Sequence, residues 1–400
     1  MVGVVDRLRL IGPAGSNRVM AGELSRLARR AGLARDLVAP KKDGPGTLVY
    51  PFGPKLGALA ATHHRTSTRV VWDLWESSAA RLEPLYASLL SAVQADTRSL
   101  LGRDFRMSVE AHNVREFAAG ERQVVGTVKN AIVDGLAARG LRARVAPRDA
   151  EVLFGVRLSD ETVVVSLDLA GRPMNQRGYR DSIGRAPLKE NLAAMLVMLA
   201  RHDGRREPLV DPMGGTGTIA IEAACMSEGR PVFCAPRRPA AAELTYLAPH
   251  ASSPEPLLAD TRATVLTNEL DPLVFETSRA QVQRAGVESQ VRCTCGDFRD
   301  LDIDSLRSLV PGGRAATGGG LVLCNPPYGV RLDHLGEREL DVLYEDLGRF
   351  CRQLPGWRAG FLVANALFEE AFTRGARVRP RIKKPLNNGA LRGYFLLYDL

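Results

Sequence analysis

The chain has 400 residues, of which 45% are hydrophobic and 25% are charged, and this composition is typical of a globular protein with two or three domains. Its net charge is +9 at pH 7, carried mostly by arginine, which favours a polyanionic partner. No apolar run approaches the roughly eighteen residues of a membrane span, and no basic-then-apolar leader opens the chain, so we expect a cytoplasmic protein without a membrane anchor.

The cysteines and histidines do not indicate a metal site. All six cysteines fall between Cys225 and Cys351, and Cys293 and Cys295 would share one face of a strand. No second pair supplies the ligand spacing of a zinc site, and the adjacent histidines at 63–64 form no metal-like pattern. We therefore expect free thiols in a reducing compartment and no bound metal.

The first 172 residues predict two small α+β segments. Residues 1–62 contain Gly-Pro turns and are interpreted as a ferredoxin-like region, whereas residues 63–172 show a clearer order of helix and strands. The pattern predicts a helix at about 122–138 and strands at 69–72, 105–109, 141–145, 152–156 and 162–167. These periodicities fit an RNA-binding module and a generic α+β domain equally well.

Residues 173–400 predict an α/β domain with a Rossmann-like, mostly parallel sheet. Four short apolar runs, which end near residues 211, 269, 295 and 324, are each followed by glycines, acids or an amide. Ligands of open α/β sheets bind beyond the carboxyl ends of the strands. We therefore expect the side chains at these four ends to lie together in one crevice.

The first of these ends carries a glycine turn. Asp211 ends the run and is followed by Pro212-Met213-Gly214-Gly215-Thr216-Gly217-Thr218, and then by a helix-like stretch. Glycines allow the backbone to approach a ligand closely because they lack a Cβ atom. The turn also fits the relaxed dinucleotide pattern G-x-G-x-x-A, so a dinucleotide oxidoreductase is an alternative. That alternative is weakened because no strand-end acid follows at about 20 residues.

Acidic residues follow the second and third runs. Glu269 can accept both ribose hydroxyls of an adenosine, while Asp271 and Pro272 predict a helix N-cap with proline at the first helical position. Asp297 can accept the adenine amino hydrogens, and the ring of Phe298 can lie against the adenine. Each acid alone is equally well interpreted as a solvated turn residue, but four such ends in order favour a nucleotide-like ligand.

The fourth run ends in Asn325-Pro326-Pro327-Tyr328. Two consecutive prolines stop a strand, so an amide, a fixed backbone carbonyl and an aromatic ring are presented at the sheet edge. This group of atoms is suited to holding a planar exocyclic amino group. The sequence thus predicts methylation of a nucleobase nitrogen, with the glycine turn serving the methyl donor.

With these motifs the chain resembles the THUMP-domain RNA guanine-N2 methyltransferases, whose members act on large-subunit ribosomal RNA or on the tRNA acceptor stem. Residues 176–180, 186–193 and 388–389 add to the resemblance. It implies a seven-stranded, S-adenosylmethionine-dependent methyltransferase domain at 173–400 and a THUMP-type RNA-binding domain at 63–172. Two stretches depart from the family: the first sixty residues match weakly, and the proline- and alanine-rich stretch 230–262 does not match.

The resemblance also implies site residues. Asn325, Pro326, Pro327 and Tyr328 would hold the guanine, and Arg177 and Arg180 would contact RNA. The residues expected to bind S-adenosylmethionine are Leu188, Asp211, Met213, Gly214, Gly215, Thr216, Gly217, Thr218, Glu269, Leu270, Asp297, Phe298 and Asn325. Gly214 stands where the family commonly has cysteine.

A basic strip lies near the end of the chain. Arg377, Arg379, Arg381 and Lys383 alternate with other residues, so on a strand all four would share one face. Such a face can follow a phosphate backbone, and it can equally be a charged edge that prevents sheet-to-sheet aggregation.

The expected mechanism is direct displacement at the methyl carbon of the donor. The side-chain oxygen of Asn325 and the carbonyl of Pro326 would accept the two amino hydrogens, while Tyr328 stacks on a base turned out of its helix. We expect a monomer that acts on rRNA or tRNA. Besides the weakened dinucleotide oxidoreductase, two alternatives stay open: an adenine-N6 methyltransferase on RNA or DNA, and a non-catalytic RNA-binding factor that retains the fold.

Overall fold

A computed structural model of the protein divides the chain into two compact units. The first comprises Met1–Pro13, Met20–Met174 and Ala235–Ser253, and the second comprises Ala14–Val19, Asn175–Cys234 and Pro254–Leu400. The structure describes residues 2–33, 40–78, 81–98, 100, 103–112, 119–148, 150–159, 162–180, 188–250, 264–309, 319–328, 336–387 and 392–400.

The elements up to residue 168 build the sheet of the first unit and its helices. They are β1 (Val2–Ile11), α1 (Asn17–Arg30), β2 (Lys41–Lys42), β3 (Thr47–Pro51), α2 (Pro54–His63), β4 (Arg69–Ser77), α3 (Leu82–Ala95), β5 (Phe105–His112), α4 (Glu121–Ala137), β6 (Ala143–Val145), β7 (Val152–Ser159) and β8 (Thr162–Asp168). In the described part of the chain the eight strands have the order β2-β3-β1-β4-β8-β7-β5-β6.

Strand β1 connects the two segments that the sequence pattern separates at residue 62. It pairs antiparallel with β3 on one side and with β4 on the other, where Leu8 lies opposite Trp72. The strands from residues 1–62 and those from residues 63–172 therefore form one sheet. The helix predicted at 122–138 is α4, and its buried residues Val124, Val128 and Ile132 recur every fourth position, as an amphipathic helix requires.

A segment from later in the sequence also belongs to the first unit. Within Ala235–Ser253, the amide of Ala241 donates to the carbonyl of Leu169 at 2.8 Å, and Leu244 and Leu247 are buried. This segment lies in the stretch 230–262 that has no counterpart in the family resemblance. From residue 235 to residue 250, the described part of that stretch thus contributes to the core of the first unit.

The second unit is built from the elements after residue 188. They are α5 (Glu190–Leu199), β9 (Leu209–Asp211), α6 (Thr218–Glu228), β10 (Val265–Glu269), α7 (Pro272–Arg284), β11 (Val291–Cys295), α8 (Ile303–Ser308), β12 (Leu321–Cys324), α9 (Glu337–Arg352), β13 (Arg358–Val363), α10 (Phe368–Ala376), β14 (Ile382–Pro385) and β15 (Tyr394–Asp399). Its described strands form a seven-stranded sheet in the order β11-β10-β9-β12-β13-β15-β14.

This sheet confirms the predicted Rossmann-like architecture. The five strands β11, β10, β9, β12 and β13, in sheet order, are mutually parallel. Strand β15 runs antiparallel to both of its neighbours, β13 and β14. Both faces are covered by helices, so the central strands β9 and β12 are buried along their whole length: Leu209 packs into one core and Val210 into the other. The chain leaves β9 towards β10 and returns to β12 on the other side, so β9 and β12 flank the topological switch point.

Local predictions around the sheet are confirmed with one exception. The carboxylate of Asp271 caps α7 by accepting from the amide of Leu273 at 2.8 Å, and Gly286 follows the helix with φ +67°. The four basic positions do not share one strand, which was the condition for placing them all on one face. Arg377 ends α10 in the left-handed region (φ +61°), so extended pairing starts only at β14.

Two global properties follow from the described residues. Every helix among them is too short or too polar to span a bilayer. Within the same ranges, His, Cys, Asp and Glu side chains do not gather in threes as a metal site would require.

Candidate active site

The glycine turn between β9 and α6 is held by backbone hydrogen bonds. Gly215 and Gly217 have φ values of +55° and +77°, a region that residues with a Cβ atom rarely enter. The amide of Gly214 donates to the carbonyl of Asn268 at 2.7 Å, which fixes the turn against the end of β10. A Cβ atom at Gly214 would lie 1.9 Å from Oγ1 of Thr267. The Thr267 side chain therefore leaves space only for glycine at position 214. The cysteine common in the family would not fit here without a shift.

Glu269 ties the end of β10 to the glycine turn. Its Oε2 accepts from the amide of Gly215 at 2.9 Å, and its Oε1 accepts from the amide of Asp271 at 3.0 Å. Each carboxylate oxygen has a second lone pair, so the group can still accept two hydroxyl hydrogens. The neighbouring Leu270 is 66% exposed.

Asp297 and Phe298 follow β11 and point in different directions. The carboxylate of Asp297 accepts from the guanidinium of Arg299, with Nε to Oδ1 at 2.9 Å and Nη2 to Oδ2 at 2.5 Å, and this ion pair lowers the pKa of Asp297. Phe298 is only 4% exposed and packs edge-to-face on Phe350. Its side chain thus belongs to the core, and at most its edge is available to a ligand.

Asp211 is buried at the carboxyl end of β9. It accepts a hydrogen bond from the thiol of Cys324 on the adjacent β12, and more weakly from the amide of Met213 at 3.4 Å. Burial is the main reason that its pKa rises to about 7, and the nearby charge of Glu269 adds to the shift. The group can therefore change its ionisation at physiological pH.

The Asn-Pro-Pro-Tyr segment directly follows β12 and is anchored by two residues that the sequence did not reveal. Tyr344 on α9 donates its hydroxyl to the carbonyl of Pro327 at 2.5 Å, and Nδ2 of Asn365 donates to the carbonyl of Tyr328 at 3.1 Å. Asn365 follows β13, the next strand in the sheet. Its position beyond the carboxyl end of a parallel strand is the sequence signal that indicates it. Tyr344 lies on an amphipathic helix, where the sequence shows only a core position.

Asn325 is already engaged in this structure. The hydroxyl of Tyr328 donates to its Oδ1, and the Tyr328 side chain is 9% exposed. The carbonyl of Pro326, in contrast, accepts no hydrogen bond from the part of the chain that the structure describes. Among the described residues nothing occupies the Pro326 acceptor, and the Asn325 acceptor becomes available when the Tyr328 hydroxyl turns away.

The expected RNA contacts divide into buried and exposed groups. Arg177 is 0% exposed and pairs with Glu222 at 3.3 Å, so its expected contact with RNA is replaced by a structural role. Arg180 is also largely buried, with 13% of its side chain exposed. The two residues are adjacent to α5 and α6 rather than on a surface.

The basic strip is exposed at each of its four positions, with half-buried residues between them. Two of its cations are paired with acids: Arg381 with Asp399 at 3.2 Å and Lys383 with Glu369 at 2.6 Å. For Arg377 and Arg379, the described residues supply no such ion pair. The motif positions 186–187 and 388–389 lie outside the described residues.

Comparison with known proteins decides the family. A family profile described as RMKL-like, methyltransferase domain, matches residues 177–393, which is more than half of the chain. The chain belongs to this family. Together with the seven-stranded sheet, the match confirms the methyltransferase domain predicted at residues 173–400.

Individual relatives agree with this assignment. The chain is 30% identical over 367 residues to the ribosomal RNA large subunit methyltransferase K/L of Alteromonas mediterranea, with 88% of this chain and 48% of that protein covered. It thus spans about half the length of this relative. Among solved structures, SMU.472, assigned as a methyltransferase and crystallised with SAH, has a TM-score of 0.79 at 23% identity, covering 99% and 98% of the two chains. TrmN from Thermus thermophilus has a TM-score of 0.69 at 20% identity, covering 98% and 99%.

Proposed function

We propose that the protein transfers a methyl group from S-adenosylmethionine to the exocyclic N2 amine of a guanine in RNA, with ribosomal RNA as the preferred substrate. One observation carries the proposal: β9 and β12 are adjacent, so the glycine turn with Asp211 and the segment starting at Asn325 lie at the same edge of the sheet. The ribosomal preference is supported by the name of the relative that matches 88% of the chain.

The residues of the glycine turn fit the proposed donor. An added Cβ atom at Gly215 would meet no described atom within 4 Å, so the turn borders open space. Glu269 presents a carboxylate with spare lone pairs, as the two hydroxyls of a ribose require. When bound, S-adenosylmethionine would supply a methyl group that its sulfonium activates, so no nucleophilic side chain is needed.

The task of the protein is then to orient the acceptor amine, whose lone pair is delocalised into the guanine ring. Oδ1 of Asn325 and the carbonyl of Pro326 would accept the two amino hydrogens, which favours a pyramidal nitrogen with its lone pair directed away from both acceptors. For this the Tyr328 hydroxyl must release Asn325, and the freed ring can stack on the base. Turning a base out of a helix costs a few kcal/mol. Stacking of about 1–3 kcal/mol offsets much of that cost.

RNA binding is proposed for the THUMP-type part of the first unit, residues 63–172, and for the basic strip. Arg377 and Arg379 support the second assignment because they are exposed and lack a described ion pair. Arg381 and Lys383 support it less, since each would have to leave an acid to reach a phosphate.

Nucleoside mass spectrometry of fractionated RNA from cells with and without this gene tests the function. We expect N2-methylguanosine to disappear from large-subunit rRNA and to return with the wild-type gene but not with Asn325→Ala. Loss confined to tRNA would contradict the ribosomal substrate. Loss of N6-methyladenosine would contradict the choice of base, and an unchanged nucleoside profile would favour the non-catalytic RNA-binding factor.

A further inference from the structure

The segment 177–180, which we name the inner clamp, faces the interior of the second unit. Its side chains at Arg177 and Tyr179 are 0% and 1% exposed. The backbone is fixed from two sides, because the carbonyl of Arg177 accepts from the amide of Cys234 at 2.8 Å and the carbonyl of Tyr179 accepts from Nε of Arg284 at 2.8 Å. The inner clamp is thus a fixed point next to the helices that follow it.

Two of its side chains hold α6 through a buried acid. Nε of Arg177 and the hydroxyl of Tyr179 each lie 3.3 Å from Oε1 of Glu222, which is 0% exposed in the second turn of α6. A buried carboxylate is stable only when it is paired and hydrogen-bonded, so these contacts restrict where α6 can lie.

Arg180 contacts the residue that ends the glycine turn and the chain just before α5. Its Nη2 donates to Oγ1 of Thr218 at 2.8 Å and to the carbonyl of Leu188 at 3.2 Å, while its Nη1 lies 3.3 Å from Glu190. Thr218 is the first residue of α6 and directly follows Gly217. A single planar guanidinium therefore connects the start of α6 with the chain just before α5 and with the first residue of α5.

The glycine turn depends on such neighbours for its position. It has no side chains at Gly214, Gly215 and Gly217 with which to pack, and the φ values of Gly215 and Gly217 lie in a region that residues with a Cβ atom rarely enter. The start of α6 sets where its free backbone amides point. A displacement of about 1 Å at a binding site is enough to reduce the rate of a reaction strongly.

We propose that Arg180 is a positioning residue that fixes the glycine turn, through Thr218 and Leu188, for binding the methyl donor. This inference rests on the proposed function of the turn. It assigns to the motif a role in donor affinity instead of RNA contact. Lysine cannot replace arginine here, because an ammonium group lacks the planar fork that reaches two oxygens and a carboxylate together.

The test compares Arg180→Lys with Arg358→Lys in the full chain. Arg358 is a matched control, since it also bonds a backbone carbonyl, that of Ala200, and a glutamate, Glu207, but at the amino end of β13. We expect Arg180→Lys to raise the KM for S-adenosylmethionine and the Kd for S-adenosylhomocysteine on the order of tenfold, with kcat within about twofold. The control should lower the melting temperature without changing either constant.

A double-mutant cycle shows whether Arg180 acts through Thr218. Thr218→Val removes the accepting oxygen, and we expect its effect on donor affinity to be clearly less than additive with Arg180→Lys. Additive effects, or an Arg180→Lys variant with wild-type donor affinity, would overturn the positioning role. Wild-type protein that fails to bind S-adenosylhomocysteine would instead overturn the proposed function.

Discussion

The thiol of Cys324 donates a hydrogen bond to the carboxylate of Asp211, which links β12 to β9 where the strand order reverses. Burial raises the pKa of both groups, to about 7 for Asp211 and well above its ordinary value for Cys324. A proton on Asp211 near neutrality makes this link uncharged. The edge of the sheet that presents both motifs is therefore sensitive to pH.

Replacement of Asp211 should reveal this sensitivity. Its folded pKa of about 7 exceeds the ordinary value of 3.8, so ionisation destabilises the fold progressively from about pH 4 and fully above about pH 7. Between pH 5 and pH 8 the wild type should thus lose about 3 kcal/mol relative to Asp211→Asn, which cannot ionise. Urea denaturation at both pH values measures the difference. The exposed Glu288→Gln is the control, and an Asp211→Asn advantage that is equal at both pH values would contradict the raised pKa.

Asn325→Ala should separate donor binding from methyl transfer. The amide oxygen is expected to act on the acceptor amine, so loss of this group should reduce single-turnover methylation by about 100-fold or more. Binding of S-adenosylhomocysteine, measured by calorimetry, should stay within a few-fold of wild type. Methylation near the wild-type rate would exclude an essential role for the amide.

The ring and the hydroxyl of Tyr328 should have opposite effects. Tyr328→Phe keeps the stacking surface and removes the group that occupies Asn325, so we expect an unchanged or higher methylation rate. Tyr328→Ala removes the stacking surface, worth about 1–3 kcal/mol per base, and should raise the KM for RNA correspondingly. Steady-state kinetics with RNA as the varied substrate compares the two. A Phe variant as impaired as the Ala variant would contradict stacking.

The fit of Gly214 against Thr267 can be tested by introducing the cysteine common in the family. Gly214→Cys alone places a Cβ atom 1.9 Å from Oγ1 of Thr267, and overpacking of this kind destabilises by about 1–3 kcal/mol. Adding Thr267→Ala should recover most of the loss in thermal denaturation. Gly215→Ala is a matched control, because its Cβ atom has space but its φ is unfavourable, so Thr267→Ala should not rescue it.

The basic strip predicts a particular salt dependence of RNA binding. Log affinity falls with log salt, and removing a cation that neutralises a phosphate makes this slope shallower by about 0.7–0.9. We expect this for Arg377→Ala and Arg379→Ala. Arg381→Ala should have a smaller effect because Arg381 is paired with Asp399. Filter binding at several salt concentrations measures the slopes, and unchanged slopes for the first two would favour a solvated edge.

Much of the second unit could be predicted because it follows local rules. The strand ends at Asp211, Glu269 and Asn325 were recognisable from apolar runs that stop at glycine, acid or proline, and parallel strands necessarily bring such ends to one edge. Residues 176–180 lie in irregular backbone, which has no periodicity to show the buried side. Their direction depends on a tertiary partner, Glu222, that lies 45 residues from Arg177.

The placement of Ala235–Ser253 was not predictable for a related reason. Its burial depends on contacts with residues such as Leu169, far away in the sequence, and its own composition of alanine and proline resembles that of a linker. The family resemblance gave no guide either, because this stretch departs from it. Similarly, the end of α10 at Arg377 is set by a left-handed residue other than glycine, which composition does not reveal.

Leu244 and Leu247 belong to the first unit but follow part of the second unit in the sequence, which has a consequence for synthesis on the ribosome. The core of the first unit is incomplete until translation has passed residue 247, when β9 and α6 of the other unit have already been made. Domains commonly fold one after another as the chain emerges. Here the nascent chain must leave its earlier half unfinished while the later half begins, so a stalled or truncated product of 174 residues would expose an apolar surface to chaperones.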